Sequence, residues 1–207
     1  MSKVPAVPAS AEFGVDVEGE MASTTEALGD EELARLRRAA VAYVPPEGYF
    51  RGMDPRGYIE FFLLTGAHPS VLADPAKHDL RTEDRPGGRF SVTWLRPKKT
   101  GMAARCEMQF GPTERWMREF VDRVRASPRS DRQIGMLVRA VAASARIEGP
   151  VSPRTLRHTC GVLMLRRSRN PSVVKDLLNV SDRTLQHYLR LTNEDAQRAV
   201  EGFLPPL

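Results

Sequence analysis

Apolar residues recur at helical spacing over most of this chain. Leu33, Leu36 and Ala40 follow one another every three or four positions. Pro45 ends this pattern, which predicts a first helix starting near Gly29. Further helices are predicted where a capping side chain or a proline precedes an apolar run, namely near Pro55 and at Thr113, Asp131, Ser152, Asn170, Ser181 and Thr192.

One part of the chain alternates apolar and polar residues instead. Residues 90–95 have the period of a strand, and residues 102–110 predict the returning strand after a turn at 98–101. Residues 73–89 are rich in Asp, Arg, Pro and Gly, so they predict a loop, in which His78 shows no sign of a role. The predicted fold class is mainly α with a small antiparallel β-hairpin or sheet.

Composition adds a tail and a cellular setting to this fold. The chain has 207 residues, 41% of them hydrophobic and 28% charged, which suits one domain with its own core. Residues 1–28 lack periodicity, so we expect a flexible tail before a domain at 29–207. We expect neither a secretory leader nor a membrane span, because no apolar run is long enough. Cys106 and Cys160 are too few for a disulfide framework or a zinc site, which favours a reduced, cytoplasmic protein.

Charge is distributed unevenly along the chain. The formal net charge is +5, but residues 1–50 hold four Lys or Arg against nine Asp or Glu, a balance of −5. Residues 146–190 hold nine basic residues against three acids, a balance of +6. This asymmetry favours a C-terminal half that faces a polyanion such as nucleic acid. The alternative is a set of solvated surface arginines.

Two arginines stand at the start of the helix that Ser152 and Pro153 predict. Arg154 and Arg157 are three residues apart, so they share a face of that helix. Guanidinium groups beside the positive end of a helix dipole suit a phosphate. Without further context, two surface arginines are the preferred interpretation.

The context is a series of motifs in a fixed order. Residues 152–158 read Ser-Pro-Arg-Thr-Leu-Arg-His, residues 173–178 read Val-Val-Lys-Asp-Leu-Leu, and Tyr188 lies thirty-one residues after Arg157. Upstream, residues 65–70 read Thr-Gly-Ala-His-Pro-Ser, and residues 96–101 read Arg-Pro-Lys-Lys-Thr-Gly. The series resembles the tyrosine recombinase, or phage integrase, family over about residues 29–200.

The resemblance implies both a fold and a chemistry. The fold would be the catalytic fold of tyrosine recombinases, whose tyrosine attacks a DNA phosphodiester to give a 3′-phosphotyrosine and a free 5′-hydroxyl. Tyr188 would be the nucleophile and Arg157 a phosphate clamp. Lys98, or the adjacent Lys99, would protonate the leaving oxygen. The bond energy is kept in the phosphotyrosine, so no cofactor, metal or small-molecule substrate is expected.

Three positions depart from the family pattern. His68 stands where the family has its first arginine, and it lacks the bidentate fork and permanent charge. Arg154 stands in place of the second-box histidine and can donate but not act as a base. Asn179, or Val180 with a one-residue gap, occupies the place of a histidine or tryptophan. Residues 1–28 are also too few for the core-binding domain that precedes the family's catalytic domain.

Two hypotheses of function therefore remain. The first is a site-specific recombinase or integrase of a mobile element, in standard or degenerate form, acting on double-stranded DNA as a homo-oligomer in the nucleoid. The second is a non-catalytic DNA-binding protein that keeps the fold, and a topoisomerase-like relaxing enzyme would use the same chemistry. His158 is expected to pack or bond within its helix, and His187 to face away from Tyr188.

Overall fold

Capping side chains set the starts of the helices. Asp54, Ser130, Ser152 and Asn170 each accept a hydrogen bond from a backbone N–H in the turn that follows. The computed structural model describes residues 27–46, 48–97 and 103–201. Its helices are α1 (Asp30–Ala42), α2 (Pro55–Thr65), α3 (Ser70–Ala73), α4 (Arg115–Ala126), α5 (Asp131–Ser144), α6 (Pro153–Ser168), α7 (Pro171–Leu178) and α8 (Asp182–Glu201).

A three-stranded antiparallel sheet lies between α3 and α4 in the chain. The predicted hairpin is present as β2 (Phe90–Pro97) and β3 (Ala103–Phe110), and a further strand β1 (Arg81–Asp84) pairs with the other side of β2. The prediction of a loop throughout residues 73–89 was therefore wrong. β1 escapes prediction because charged side chains hold it: Glu83 forms ion pairs with Arg81, Arg85 and Arg105.

Three predicted caps were misplaced. Thr113 lies within a short 3-10 turn, Pro112–Glu114, that precedes α4, and Ser130 rather than Asp131 caps α5. Thr192 begins no helix, because α8 continues through it. The Thr192 hydroxyl instead donates to the carbonyl oxygen of Tyr188, one turn earlier, at 2.6 Å.

The buried side chains form two clusters that share α6. The large core comprises the buried apolar side chains from Leu28 to Leu156 and fills the space between α1, α2, α4, α5 and the sheet. A second group, which we call the tyrosine cluster, packs α6 against α7 and α8. Its buried members are Cys160, Val162, Leu165, Val174, Leu178, Leu185 and Tyr188.

The chain joins the large core just before α1. The Leu28 side chain is buried, and its backbone N–H donates to Thr159 Oγ1 at 3.0 Å. The rest of the predicted tail, residues 1–26, lies outside the described residues. His78, which the sequence places in an uninformative loop, is buried with its Nδ1 2.9 Å from the carbonyl oxygen of Leu95, so it ties that segment to β2. No helix in the described part of the chain is both long and apolar enough to cross a membrane.

Candidate active site

Arg157 lies where three helices meet. The Ser152 cap and Pro153 start α6, so Arg157 follows one turn into the helix and points between its neighbours. One terminal nitrogen of its guanidinium donates to the carbonyl oxygen of Gly66, just after α2, and the other donates to that of Leu178, the last residue of α7. Burial lowers the pKa of Arg157 from its ordinary value, yet a guanidinium keeps its charge at neutral pH.

Tyr188 packs beside Arg157 from α8. Its side chain is fully buried, and its Oη lies 2.8 Å from Nδ1 of His158. Burial raises the pKa of Tyr188 to about 12, although the positive charge of Arg157 acts in the opposite direction. The phenol is thus neutral at physiological pH and needs a proton acceptor to become a nucleophile.

Gly161 makes room for the tyrosine ring. A Cβ at this position would lie 2.6 Å from Cε2 and 2.8 Å from Cζ of Tyr188, closer than packed atoms approach. α6 therefore has a glycine at the point where Tyr188 of α8 packs against it. The absence of a side chain at residue 161 leaves the space that the Tyr188 ring occupies.

His158 joins the tyrosine to the second arginine of the motif. Arg154, exposed and one turn earlier in α6, directs its Nε toward Nε2 of His158 at 3.4 Å. Burial is the main cause that lowers the pKa of His158 to about 4, and the positive charge of Arg154 is the next. His158 is therefore a neutral imidazole at physiological pH.

His68 lies at the surface two residues after Gly66, which Arg157 contacts. The backbone N–H of Ser70 donates to Nδ1 of His68 at 3.3 Å, and Oγ of Ser70 is 2.9 Å from the same nitrogen. Since a backbone N–H can only donate, Nδ1 is the acceptor and Nε2 carries the proton. Partial desolvation, and then the charge of Arg157, lower the pKa of His68. His68 thus offers a neutral N–H donor rather than a positive charge.

Asn179 and the hairpin flank the same region. Asn179 follows Leu178 in a left-handed conformation (φ 50°) that ends α7, and its side chain is exposed. Arg96, near the end of β2, donates to the carbonyl oxygen of Asp176 in α7 at 2.9 Å, which brings the base of the hairpin to this helix. Lys98 and Lys99 lie outside the described residues.

Among the predicted site residues, the structure brings Arg157 and Tyr188 together. Arg154 is connected to Tyr188 through His158, which contacts both. His68 and Asn179 lie close in the chain to the two carbonyl groups that Arg157 contacts.

Sequence reasoning missed His158. The histidine does bond within its helix, as expected, but it also bonds to the tyrosine on another helix. The expectation for His187 was wrong, because its ring centroid is 6.4 Å from that of Tyr188. A signal was present in the sequence: Arg154, His158 and Gly161 share one face of α6, and a glycine on such a face indicates a large neighbour.

The site's chemistry is that of anion binding beside a phenol. Arg154, Arg157 and His68 supply N–H donors, and Tyr188 supplies a hydroxyl with an adjacent imidazole. In the parts of the chain that the structure describes, no three His, Cys, Asp or Glu side chains are grouped so as to hold a metal ion.

Comparison with known proteins identifies the fold. No family model matches the chain, and no curated protein matches it. The structure is similar to that of the XerH site-specific recombinase bound to palindromic difH substrate in a post-cleavage complex, with a TM-score of 0.61 and 15% identity, covering 84% of this chain and 52% of that one. For XerH bound to difH substrate in a pre-cleavage complex, the TM-score is 0.58 and the identity 16%, covering 78% and 50%.

The XerA recombinase is also similar, with a TM-score of 0.56 and 18% identity, covering 93% of this chain and 67% of that one. The chain spans about half the length of the XerH chain. The predicted fold class, mainly α with a small antiparallel sheet in the catalytic fold of tyrosine recombinases, is confirmed. At these identities the likeness extends to the fold alone.

Proposed function

We propose that this protein binds double-stranded DNA and cleaves and rejoins one strand through Tyr188. The observation that carries the proposal is the junction of α2, α6, α7 and α8, where Arg157 and Tyr188 meet in a fold like that of site-specific recombinases. Residues from four helices converge there although they are far apart in the sequence. A purely structural arginine would not account for the neighbouring phenol–imidazole pair.

The proposed reaction uses charges at the site to stabilise the phosphate under attack. Tyr188 Oη forms a bond to phosphorus, and the bond to the 5′-oxygen breaks, which leaves a 3′-phosphotyrosine. Arg157 and Arg154 stabilise the charge that develops on the non-bridging oxygens. His68 adds an N–H donor, and Asn179 a polar side chain at the end of α7. Lys98, or Lys99, protonates the departing 5′-oxygen.

A second candidate, DNA binding without cleavage, is favoured by one specific observation. Tyr188 is fully buried, and both terminal nitrogens of Arg157 are already engaged by carbonyl groups. A site in this arrangement presents neither the nucleophile nor its main clamp to a phosphate. In that case Arg154 and the basic residues of 146–190 would bind the DNA backbone alone.

Covalent capture on nicked DNA tests the proposal. The substrates are duplexes with a randomised central region and a nick beside it. Cleavage releases a short fragment from the nick, so the phosphotyrosine is trapped, and denaturing gels reveal the protein–DNA adduct. We expect the wild type to give an adduct and Tyr188→Phe to give none. Tyr49→Phe is the matched control, because Tyr49 is 48% exposed and remote from the site in sequence, and it should form the adduct at the wild-type level.

Binding is measured on the same duplexes by fluorescence anisotropy at two salt concentrations. Affinity should fall steeply as salt rises, because each neutralised phosphate releases counterions. Salt-sensitive binding without an adduct would make the second candidate correct. Absence of binding at low salt would overturn both.

We propose that cleavage is site-specific, that it serves recombination or integration of a mobile element, and that the protein acts on DNA as a homo-oligomer in the cytoplasm, in association with the nucleoid. Likeness of fold to XerH and XerA supports recombination as the type of reaction. Selection of cleaved sequences from the randomised duplexes tests whether a defined site is recognised.

A further inference from the structure

Three side chains form a continuous chain of hydrogen bonds through the candidate site. Arg154 Nε lies 3.4 Å from His158 Nε2, and His158 Nδ1 lies 2.8 Å from Tyr188 Oη. Both ring nitrogens of His158 are therefore engaged, one by an exposed arginine and the other by the buried phenol. Loss of the hydrogen bond from Arg154 must therefore affect which ring nitrogen of His158 carries the proton.

The identity of the donor at one end fixes the direction of the chain. An arginine N–H can only donate, so Nε2 of His158 accepts from Arg154. A neutral imidazole has one N–H, and it must then be on Nδ1, from which it points to Tyr188 Oη. In this arrangement His158 donates to the phenol oxygen and has no lone pair with which to take the phenol proton.

Burial and the charges around His158 also keep it neutral. Burial lowers its pKa most, and Arg154 and Arg157 on its own helix and His187 on α8 lower it further. Of the two arginines, Arg157 is held by two carbonyl groups, whereas Arg154 is exposed. Arg154 is thus the group that an arriving phosphate can displace at the lower cost.

We propose that Arg154 is a positioning residue that sets the proton location in the His158–Tyr188 pair, and that a DNA phosphate switches the pair by drawing Arg154 away. The inference rests on the proposed strand cleavage for its purpose. With Arg154 on the phosphate, Nε2 of His158 can carry the proton and Nδ1 becomes an acceptor for the Tyr188 hydroxyl. The nucleophile is therefore activated only after DNA is bound.

The proposed step is balanced in atoms and charge. As Tyr188 Oη bonds to phosphorus, its proton passes to Nδ1 of His158, which becomes an imidazolium. The bond from phosphorus to the 5′-oxygen breaks, and that oxygen takes a proton from the general acid, for which Lys98 or Lys99 is proposed. In the reverse reaction the 5′-hydroxyl attacks phosphorus and gives its proton back to the general acid. The bond from phosphorus to Tyr188 Oη then breaks, and Nδ1 returns its proton to Oη.

Long-range proton–nitrogen NMR on the full chain with ¹⁵N-labelled histidine reports the tautomer directly. The spectrum of His158→Gln identifies the signals of His158. In the free wild type we expect the proton on Nδ1, and in Arg154→Met a shift toward the Nε2–H tautomer with a raised pKa. Arg167→Met is the matched control, because Arg167 is an exposed arginine of the same helix, and it should leave the tautomer unchanged.

A short intact duplex is then added to the wild type at low salt, with binding followed by anisotropy. We expect the His158 signals to move toward those of Arg154→Met. Identical tautomers in the free wild type and Arg154→Met would overturn the role of Arg154, whether or not the protein cleaves DNA. A bound duplex that leaves the tautomer unchanged would overturn the switch. A tautomer change together with no covalent adduct would support the switch and refute the proposed cleavage.

Discussion

The two buried clusters of this protein are held together in different ways. In the large core, aromatic rings such as Phe61, Phe62 and Phe120 fill space against one another, and the packing is almost wholly apolar. In the tyrosine cluster, apolar side chains also pack α6 against α7 and α8, but hydrogen bonds from Arg157 and His158 beside the cluster add further links between these helices. A hydrogen-bonding group can exchange its partner for a ligand atom, whereas a close-packed side chain cannot move without leaving a cavity. We therefore expect a ligand to rearrange the links at the tyrosine cluster more readily than the large core.

Both clusters use a glycine beneath an aromatic ring. A Cβ on Gly57 in α2 would overlap the ring of Phe120, just as one on Gly161 in α6 would overlap the ring of Tyr188. In the large core this close approach serves packing alone. In the tyrosine cluster the same device buries a hydroxyl next to its hydrogen-bond partner. The shared device allows the same substitution to be compared in the two regions.

The largest effect is expected from Arg157→Met. The substitution leaves the carbonyl groups of Gly66 and Leu178 without their donor, and each unsatisfied buried group costs roughly 1–3 kcal/mol. We expect a loss of about 2–5 kcal/mol in the free energy of unfolding, measured by urea denaturation, and loss of the covalent adduct. Arg154→Met is the control one turn earlier; it should cost less than about 1 kcal/mol, since Arg154 is exposed. Equal losses of unfolding free energy in both variants would contradict the view that Arg157 stabilises the contacts of α6 with Gly66 and with α7.

A smaller effect is expected from Gly161→Ala. The added methyl group collides with the tyrosine ring, and overpacking of this kind costs about 1–3 kcal/mol. Gly57→Ala should destabilise the fold in a similar way but leave the adduct chemistry of the remaining folded protein unchanged. Gly135→Ala is the control, because nothing lies within 4 Å of its Cβ; it should stabilise α5 by about 0.5–1 kcal/mol. Unaltered adduct formation in Gly161→Ala would show that the depth of Tyr188 is not set by this glycine.

The smallest effect concerns acid stability. The pKa of His158 is lowered to about 4 from an ordinary value near 6.5. Between these pH values the unfolded chain binds a proton on His158 that the folded chain does not, so this contribution to stability is present above pH 6.5 and is lost as pH falls. The difference in unfolding free energy between pH 7 and pH 5 should therefore be smaller in His158→Gln than in the wild type. All other groups are common to both proteins, so equal differences would contradict the burial of a neutral His158.

Local signals account for the parts of the fold that the sequence predicts. Asp54 and Ser152 cap their helices, and the alternating pattern of residues 90–95 lies in β2, because each signal acts within a few residues. β1 was missed because it is held by backbone pairing with β2 and by ion pairs such as that of Glu83 with Arg105 in β3, which no periodicity reveals. The residues where a helix or strand begins and ends depend on nearby sequence, whereas the strands and helices that it contacts depend on residues far away in the chain.

The candidate site divides in the same way. Arg157 and Tyr188 could be chosen from their motifs, but their surroundings could not. The contact between His158 and Tyr188 joins residues thirty positions apart. Likewise, the backbone N–H of Ser70 sets which nitrogen of His68 carries the proton, and burial, followed by the charge of Arg157, lowers the pKa of His68. An ordinary histidine gains charge near pH 6.5, whereas the lowered pKa of His68 moves that change to more acidic pH.

The length of α8 has a mechanical consequence. Because the helix runs on through Thr192, Tyr188 lies near its first third, and about 20 Å of helix at roughly 1.5 Å per residue separates it from Glu201. A rigid rod turns a small tilt at one point into a larger displacement at its far end. A rotation of about 10° around Tyr188 would move that end by roughly 3–4 Å, given the same rise per residue. The helix thus acts as a lever, and a distance probe at its far end would report the position of the tyrosine.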